Sequence, residues 1–127
     1  MIVAGVGGRS GVSADEIEQV VRMALDMFEL PAARLSAFAT ESAKAADPAF
    51  VEAARRISVP LRACTLDELD RVAGRVLTPS KLVLETKGVP SIAEASALVV
   101  AGRNARLLGT RVATACATCA IAIGDGR

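Results

Sequence analysis

The chain has 127 residues and a net charge of +1 from 15 Lys/Arg and 14 Asp/Glu; it is 52% hydrophobic but only 2% aromatic. A single domain of this length buries enough surface to fold without staples, and with so few aromatics its core has to be Ala, Val, Leu and Ile, packed as helices close to a sheet. Having no His, the chain lacks the commonest general base and metal ligand, and having no Trp or Tyr it lacks the stacking platforms that single-strand nucleic-acid binders use.

Residues 1–7 are rich in Val and Ile with little alternation, which predicts a buried strand. They run into the turn Gly5-Val6-Gly7-Gly8-Arg9-Ser10-Gly11, and Ser13 then stands three residues before Glu16 in the spacing of a capping box. A helix over 14–28 follows, with Ile17, Val20, Val21, Ala24 and Phe28 on one face and Glu18 paired with Arg22 on the other. Pro31 separates it from a second strand over 34–40, which leads directly into the polar run Thr40-Glu41-Ser42-Ala43-Lys44. Asp47-Pro48 is an N-cap with Pro at the first helical position, and Phe50, Ala53, Ala54 and Ile57 form the stripe of a short helix. Pro60 ends that helix; residues 61–64 predict a third strand, and Thr65 with Glu68 a second capping box opening a helix that closes at Gly74.

Residues 75–88 carry the weakest pattern: Thr78-Pro79-Ser80 reads as a turn and 81–85 as a short strand. Lys87-Gly88-Val89-Pro90 punctuates the chain, and Ser91 with Glu94 makes a third box. The helix predicted over 92–101 is apolar almost all round, so it belongs between layers rather than at the surface. After a break at 102–104, residues 106–112 and 114–123 read as two strands with little between them, and 124–127 as a frayed tail. Strand and helix alternate, and the closing pair is antiparallel. The expectation is an α/β fold: a single three-layer domain with a mixed β-sheet and helices on both faces.

In open α/β sheets ligands gather outside the carboxyl ends of strands. Residues 7–13, 40–44 and 87–94 all follow predicted strands there, and Arg9, Lys44 and Lys87 add positive charge to N–H groups that already favour anions. Plain turn architecture remains the alternative, since any α/β domain has such turns. Charge is also uneven: residues 1–70 hold 7 Lys/Arg against 11 Asp/Glu (−4) and residues 71–127 hold 8 against 3 (+5), which favours an anionic ligand on the second half unless these are simply solvated faces. Gly5-x-Gly7-x-x-x-Gly11 departs from the dinucleotide fingerprint, and no phosphate-loop motif is present.

Cys116-x-x-Cys119 resembles half a zinc site, but residues three apart on a strand face opposite ways and no further ligands complete it. These two and Cys64 read as packing residues, and no metal or cofactor is expected. Three cysteines and no secretory signal point to a reducing compartment, and the longest low-polarity run, 112–123, falls well short of the roughly 20 residues that cross a bilayer. A cytoplasmic protein without membrane or nucleic-acid partners is expected. If a reaction occurs, Glu94 or Glu41 would activate water, with Lys44 or Lys87 at the developing oxyanion; Glu94 equally reads as a capping carboxylate and nothing more.

The segment G-V-P-S-I-A-E-A-S-A-L, with the N-terminal V-A-G-V-G-G-R-S-G-V-S, resembles the CobE/CbiG C-terminal domain family of cobalamin biosynthesis over essentially the whole chain. The resemblance implies a stand-alone CobE-like form that binds a precorrin-type polycarboxylate tetrapyrrole. The positions that match the family are Gly5, Gly7, Arg9, Gly11, Ser13, Lys44, Gly88, Pro90, Ser91 and Glu94; joined with the rim residues Gly8 and Lys87, they give an expected substrate site at Gly7, Gly8, Arg9, Gly11, Ser13, Lys44, Lys87, Gly88, Ser91 and Glu94. Where many relatives carry a cysteine this chain has Gly8, so no thiol role transfers to that turn. In the longer CbiG proteins the domain is part of an enzyme that opens a lactone on a cobalt-precorrin. A cobalt-precorrin-5A hydrolase-type activity is therefore one alternative, and non-catalytic docking to other pathway enzymes another.

Overall fold

The computed structural model describes residues 1–77 and 91–126. In chain order these form β1 (Ile2–Gly8), α1 (Ala14–Met27), β2 (Ala37–Glu41), α2 (Ser42–Ala45), α3 (Pro48–Ile57), β3 (Leu61–Cys64), α4 (Leu66–Arg71), α5 (Ile92–Ala101), β4 (Arg106–Leu107), β5 (Val112–Ala113) and β6 (Ala117–Ile123). Single 3₁₀ turns occupy Ala32–Arg34 and Ala73–Arg75. The sheet runs β3-β2-β1-β6-β4, with β5 also paired to β6. Strands β1, β2 and β3 are parallel, and β6 is antiparallel to β1 along its whole length, from Ile2 opposite Ile123 to Gly8 opposite Ala117. The mixed sheet is as expected.

Alternation along β1 divides the core in two. Ala4 and Val6 face one side and join Phe38, Cys119 and Ile121 against α1 and α3, through Ile17, Val20, Val21, Phe50 and Ala53. Val3 faces the other side with Ala37, Ala39 and Ala122, against Ala97, Leu98 and Val100 of α5 and Leu69 of α4. Helix α5 buries every residue except Val99, as its lack of a polar stripe requires. A Cβ on Gly5 would stand 1.9 Å from the carbonyl oxygen of Ala93, so only glycine at that point of β1 lets the alanine-rich helix lie flat on the sheet.

Several expectations are corrected. The second strand begins at Ala37 because Leu35 closes a 3₁₀ turn onto the Ala32 carbonyl. The strand expected over 106–112 is split: Arg106–Leu107 and Val112–Ala113 pair with β6 separately, and between them Gly109 passes against the Phe28 ring. Residues 124–126 of the tail are not frayed. The Gly124 N–H donates to the Met1 carbonyl (3.1 Å) and the Gly126 N–H to that of Ala101 (2.7 Å), while Asn104 donates to the Asp125 carboxylate (2.7 Å). Cys116 lies in the turn before β6 rather than within a strand. The turn expected at Thr78-Pro79-Ser80 and the strand over 81–85 lie outside the described residues. Among the described residues no helix is long and apolar enough to cross a membrane.

Candidate functional site at the carboxyl edge of the sheet

The parallel register brings three strand ends level: Glu41 of β2 sits beside Cys64 of β3, and the Thr40 hydroxyl donates to the Val6 carbonyl of β1 (2.7 Å). Helices α1, α2 and α4 start from this edge, each just after its strand. Helix α5 runs back along β1, so its first turn reaches the same edge: Ile92 comes within 3.7 Å of where a Gly7 Cβ would stand, while Ala101 at its far end touches Gly124. The turn preceding β6 extends the edge on the other side, where the Arg9 N–H donates to the Cys116 carbonyl (2.9 Å). From β3 to β6 there are three inter-strand gaps of about 4.8 Å, a ledge roughly 14 Å wide.

Gly7 and Gly8 end β1, and Arg9 is exposed just beyond. Gly11 takes a left-handed φ of 81°, and Val12 closes the turn through its N–H to the Arg9 carbonyl (3.1 Å). Ser13 caps α1, accepting from the Glu16 N–H (3.1 Å). At the end of β2 Glu41 is buried, the Ser42 hydroxyl donates to the Cys64 carbonyl (3.0 Å), and Lys44 is half-buried in α2. Among the described residues neither Arg9 nor Lys44 has an acidic partner. Lys87 and Gly88 lie outside the described residues. Ser91 is buried and caps α5, accepting from the Glu94 N–H (3.4 Å). Glu94 is wholly buried, and its Oε2 accepts from the Leu77 N–H (3.1 Å). Residues 7–13, 40–44 and 91–94 thus meet at one edge.

The three expected capping boxes differ in outcome. Thr65 and Glu68 close reciprocally. The Glu94 carboxylate instead reaches the Leu77 backbone. The Glu16 carboxylate turns to the hairpin, where its Oε2 accepts from the Thr114 hydroxyl (2.6 Å) and the Cys116 N–H (2.5 Å). These two bonds, the hydroxyl first, hold the Glu16 carboxyl below the ordinary carboxylate range. Glu16, Thr114 and Cys116 are therefore part of this edge, although no signal in the sequence links positions 98 to 100 residues apart.

Burial pushes the Cys119 thiol up, and Cys64 is equally enclosed. Among the described residues no three His, Cys, Asp or Glu side chains group as metal ligands would. A groove of about 380 Å³, bordered by Ile2, Arg34, Arg106 and Ile123, lies at the opposite end of the sheet and contains none of the expected site residues.

Residues 2–122 match the family described as Cobalamin synthesis G C-terminus. A Sinorhizobium sp protein described as Protein CobE is 32% identical over 121 residues, covering 95% of this chain and 79% of that one. A crystal structure of CobE, described as a protein from the cobalamin (vitamin B12) biosynthetic pathway, superposes with a TM-score of 0.93 at 29% identity, over 100% of this chain and 92% of the other. Cobalamin biosynthesis protein chiG from Agrobacterium tumefaciens str. C58 is 35% identical with a TM-score of 0.78, over 98% and 99% of the two chains. A cobalamin biosynthesis protein G homologue from Sulfolobus solfataricus gives a TM-score of 0.75 at 26% identity, over 98% of this chain and 37% of that longer one. The chain belongs to the CobE/CbiG C-terminal family of cobalamin biosynthesis.

Proposed function

We propose that this chain binds a precorrin-type polycarboxylate tetrapyrrole along the carboxyl edge of its sheet, in the cytoplasm, where three cysteines that form no disulfide fit a reducing setting. The observation that carries this reading is the gathering of the N-termini of α1, α2, α4 and α5 on one edge, beside Arg9 and Lys44, in a family devoted to cobalamin synthesis. Helix starts present unshared N–H groups and a partial positive charge, which suit the several carboxylates of such a ligand. Arg9 and Lys44 add full charges, as does Lys87 by its place in the sequence just before the motif, and the residue 7–13 turn donates N–H groups, while the buried Ser91-capped start of α5 adds its partial positive charge from beneath. The alanines of α5 pack on β1, so they form the floor beneath the edge and are not a flank for the macrocycle.

The hydrolytic alternative would assign water activation to Glu94 or Glu41, but these are only 0% and 3% exposed, which favours binding over catalysis. Anaerobic titration with cobalt-precorrin-5A and with a late metal-free precorrin tests the readings together. A shifted absorbance spectrum at unchanged ligand mass supports binding. Released acetaldehyde would replace it with lactone hydrolysis. An unchanged spectrum with every intermediate, together with co-purification of a methyltransferase, would replace it with docking. Arg9→Ala and Lys44→Ala should each weaken binding more at low salt than at high, because exposed charges are screened beyond roughly 10 Å at 0.1 M; affinity equal to the parent would remove that residue from the site.

A further inference from the structure

The turn between β5 and β6 carries no site signal in the sequence, yet it continues the ledge past β1. Its position is fixed from both sides. The Cys116 carbonyl accepts from the Arg9 N–H at 2.9 Å, which ties it to the glycine turn. The Glu16 carboxylate takes the Thr114 hydroxyl and the Cys116 N–H at 2.6 and 2.5 Å, which ties it to the first turn of α1. Within the turn Thr114 and Ala117 close on each other through the Thr114 N–H and the Ala117 carbonyl (2.8 Å). A β-hairpin needs no outside carboxylate to close, so a helix residue that gives up its own capping contact to hold this one fixes where the turn sits relative to Arg9. Ala115 is exposed at the tip and Cys116 is half-buried.

We infer that residues 114–116 form the fourth segment of the ledge and contact the bound tetrapyrrole, with Glu16 as the positioning residue that holds them against the Arg9 turn. This rests on the tetrapyrrole-binding reading above. The turn extends the contact by one strand spacing, about 4.8 Å, in the direction away from Lys44. It offers the ligand a small, uncharged shoulder at Ala115 and Cys116, suited to the apolar part of a macrocycle whose carboxylates lie toward the cations.

The cysteines supply the readout. Cys64 and Cys119 are enclosed, so alkylation by iodoacetamide should report mainly Cys116, and Ala115→Cys provides an exposed thiol one residue away. The full chain is titrated anaerobically with cobalt-precorrin-5A while absorbance and peptide-resolved alkylation are followed together. The expected result is a spectral shift accompanied by labelling slowed about tenfold at saturation, both at Cys116 and at the introduced thiol of the Ala115→Cys chain. Glu16→Ala should speed Cys116 labelling in the free chain and weaken ligand affinity about tenfold, the scale of one charge-assisted hydrogen bond. Glu16→Gln, which keeps the length and one acceptor, should recover part of that loss. If Glu16→Ala does not fold, Thr114→Val removes one of the two bonds and should move both readouts in the same direction. A spectral shift with unchanged labelling at both thiols overturns the inference and leaves the binding reading intact. Unchanged affinity in the Glu16 variants removes the positioning role. No spectral shift in the parent removes the binding reading and this inference with it.

Discussion

Two glycines of the first strand and turn have opposite reasons for being glycine, and they should respond differently to the same change. At Gly5 a methyl group would overlap the backbone carbonyl of Ala93 at 1.9 Å and stand 2.7 Å from the Ala97 nitrogen. Neither is the flexible end of a side chain, so α5 would have to lift from the sheet. Gly5→Ala should therefore cost at least about 3 kcal/mol, the upper end of overpacking penalties, or abolish folding. At Gly11 nothing lies within 4 Å, but φ is 81°. Gly11→Ala should cost only about 1–2 kcal/mol, the strain of a left-handed backbone. Urea denaturation of the two variants checks this; equal midpoints would mean that the contact between α5 and β1 yields where the geometry says it does not. Thr40 shows a different residue-level constraint, a buried hydroxyl whose donation to Val6 joins two parallel strands just before the site.

At the scale of elements, most of the architecture is legible in the sequence because its signals are local. Asp47 caps α3 by accepting from the Ala49 N–H, Pro48 follows at the first helical position, and the stripe Phe50, Ala53, Ala54 and Ile57 is buried as spaced. The apolar helix over 92–101 is legible for a related reason: a sequence without a polar stripe leaves few places for a helix to go. The carboxylates of the boxes are harder to read, because S-x-x-E spacing fixes which N–H the serine can reach but not where a flexible glutamate goes once another strand arrives. Glu16 illustrates this, and its partners come from the far end of the chain. Its acid dependence follows from the same bonds. A carboxyl held below its ordinary value of 4.5 adds stability above that value and loses it only as pH falls through the lowered one. The clamp should stay closed from pH 7 to pH 5 and loosen only below about 4.5. Glu52, held at about 2 first by Arg55 and then by Arg56, should release later still, but that pair is exposed and contributes little. The amide shifts of Thr114 and Cys116 followed by NMR against pH would show this; a transition between pH 5 and 7 would contradict it.

For the molecule as a whole, position along the chain is a poor guide to position in space. The positive surplus of residues 71–127 suggests a ligand site on the second half, but Arg106 borders the groove at the far end of the sheet and Arg75 donates to the Ala105 carbonyl. The cations described at the carboxyl edge, Arg9 and Lys44, come from the acidic half. What unites the chain is β1, paired on both sides by β2 and β6 and covered on its two faces by α1 and α5. Closing that strand requires the first residues and the last strand to meet, so neither core layer can form without it, and the two should unfold together. Hydrogen exchange tests this directly. The amides of Val3 to Val6 and their partners in β6 should exchange only through global unfolding, at the full stability measured by denaturant. Those of β3, β4 and β5, short and at the margins of the sheet, should open at a fraction of it. If instead the α1 side exchanged through an opening that left α5 and β6 protected, the two layers would be separate cooperative units and β1 would not be the element that joins them.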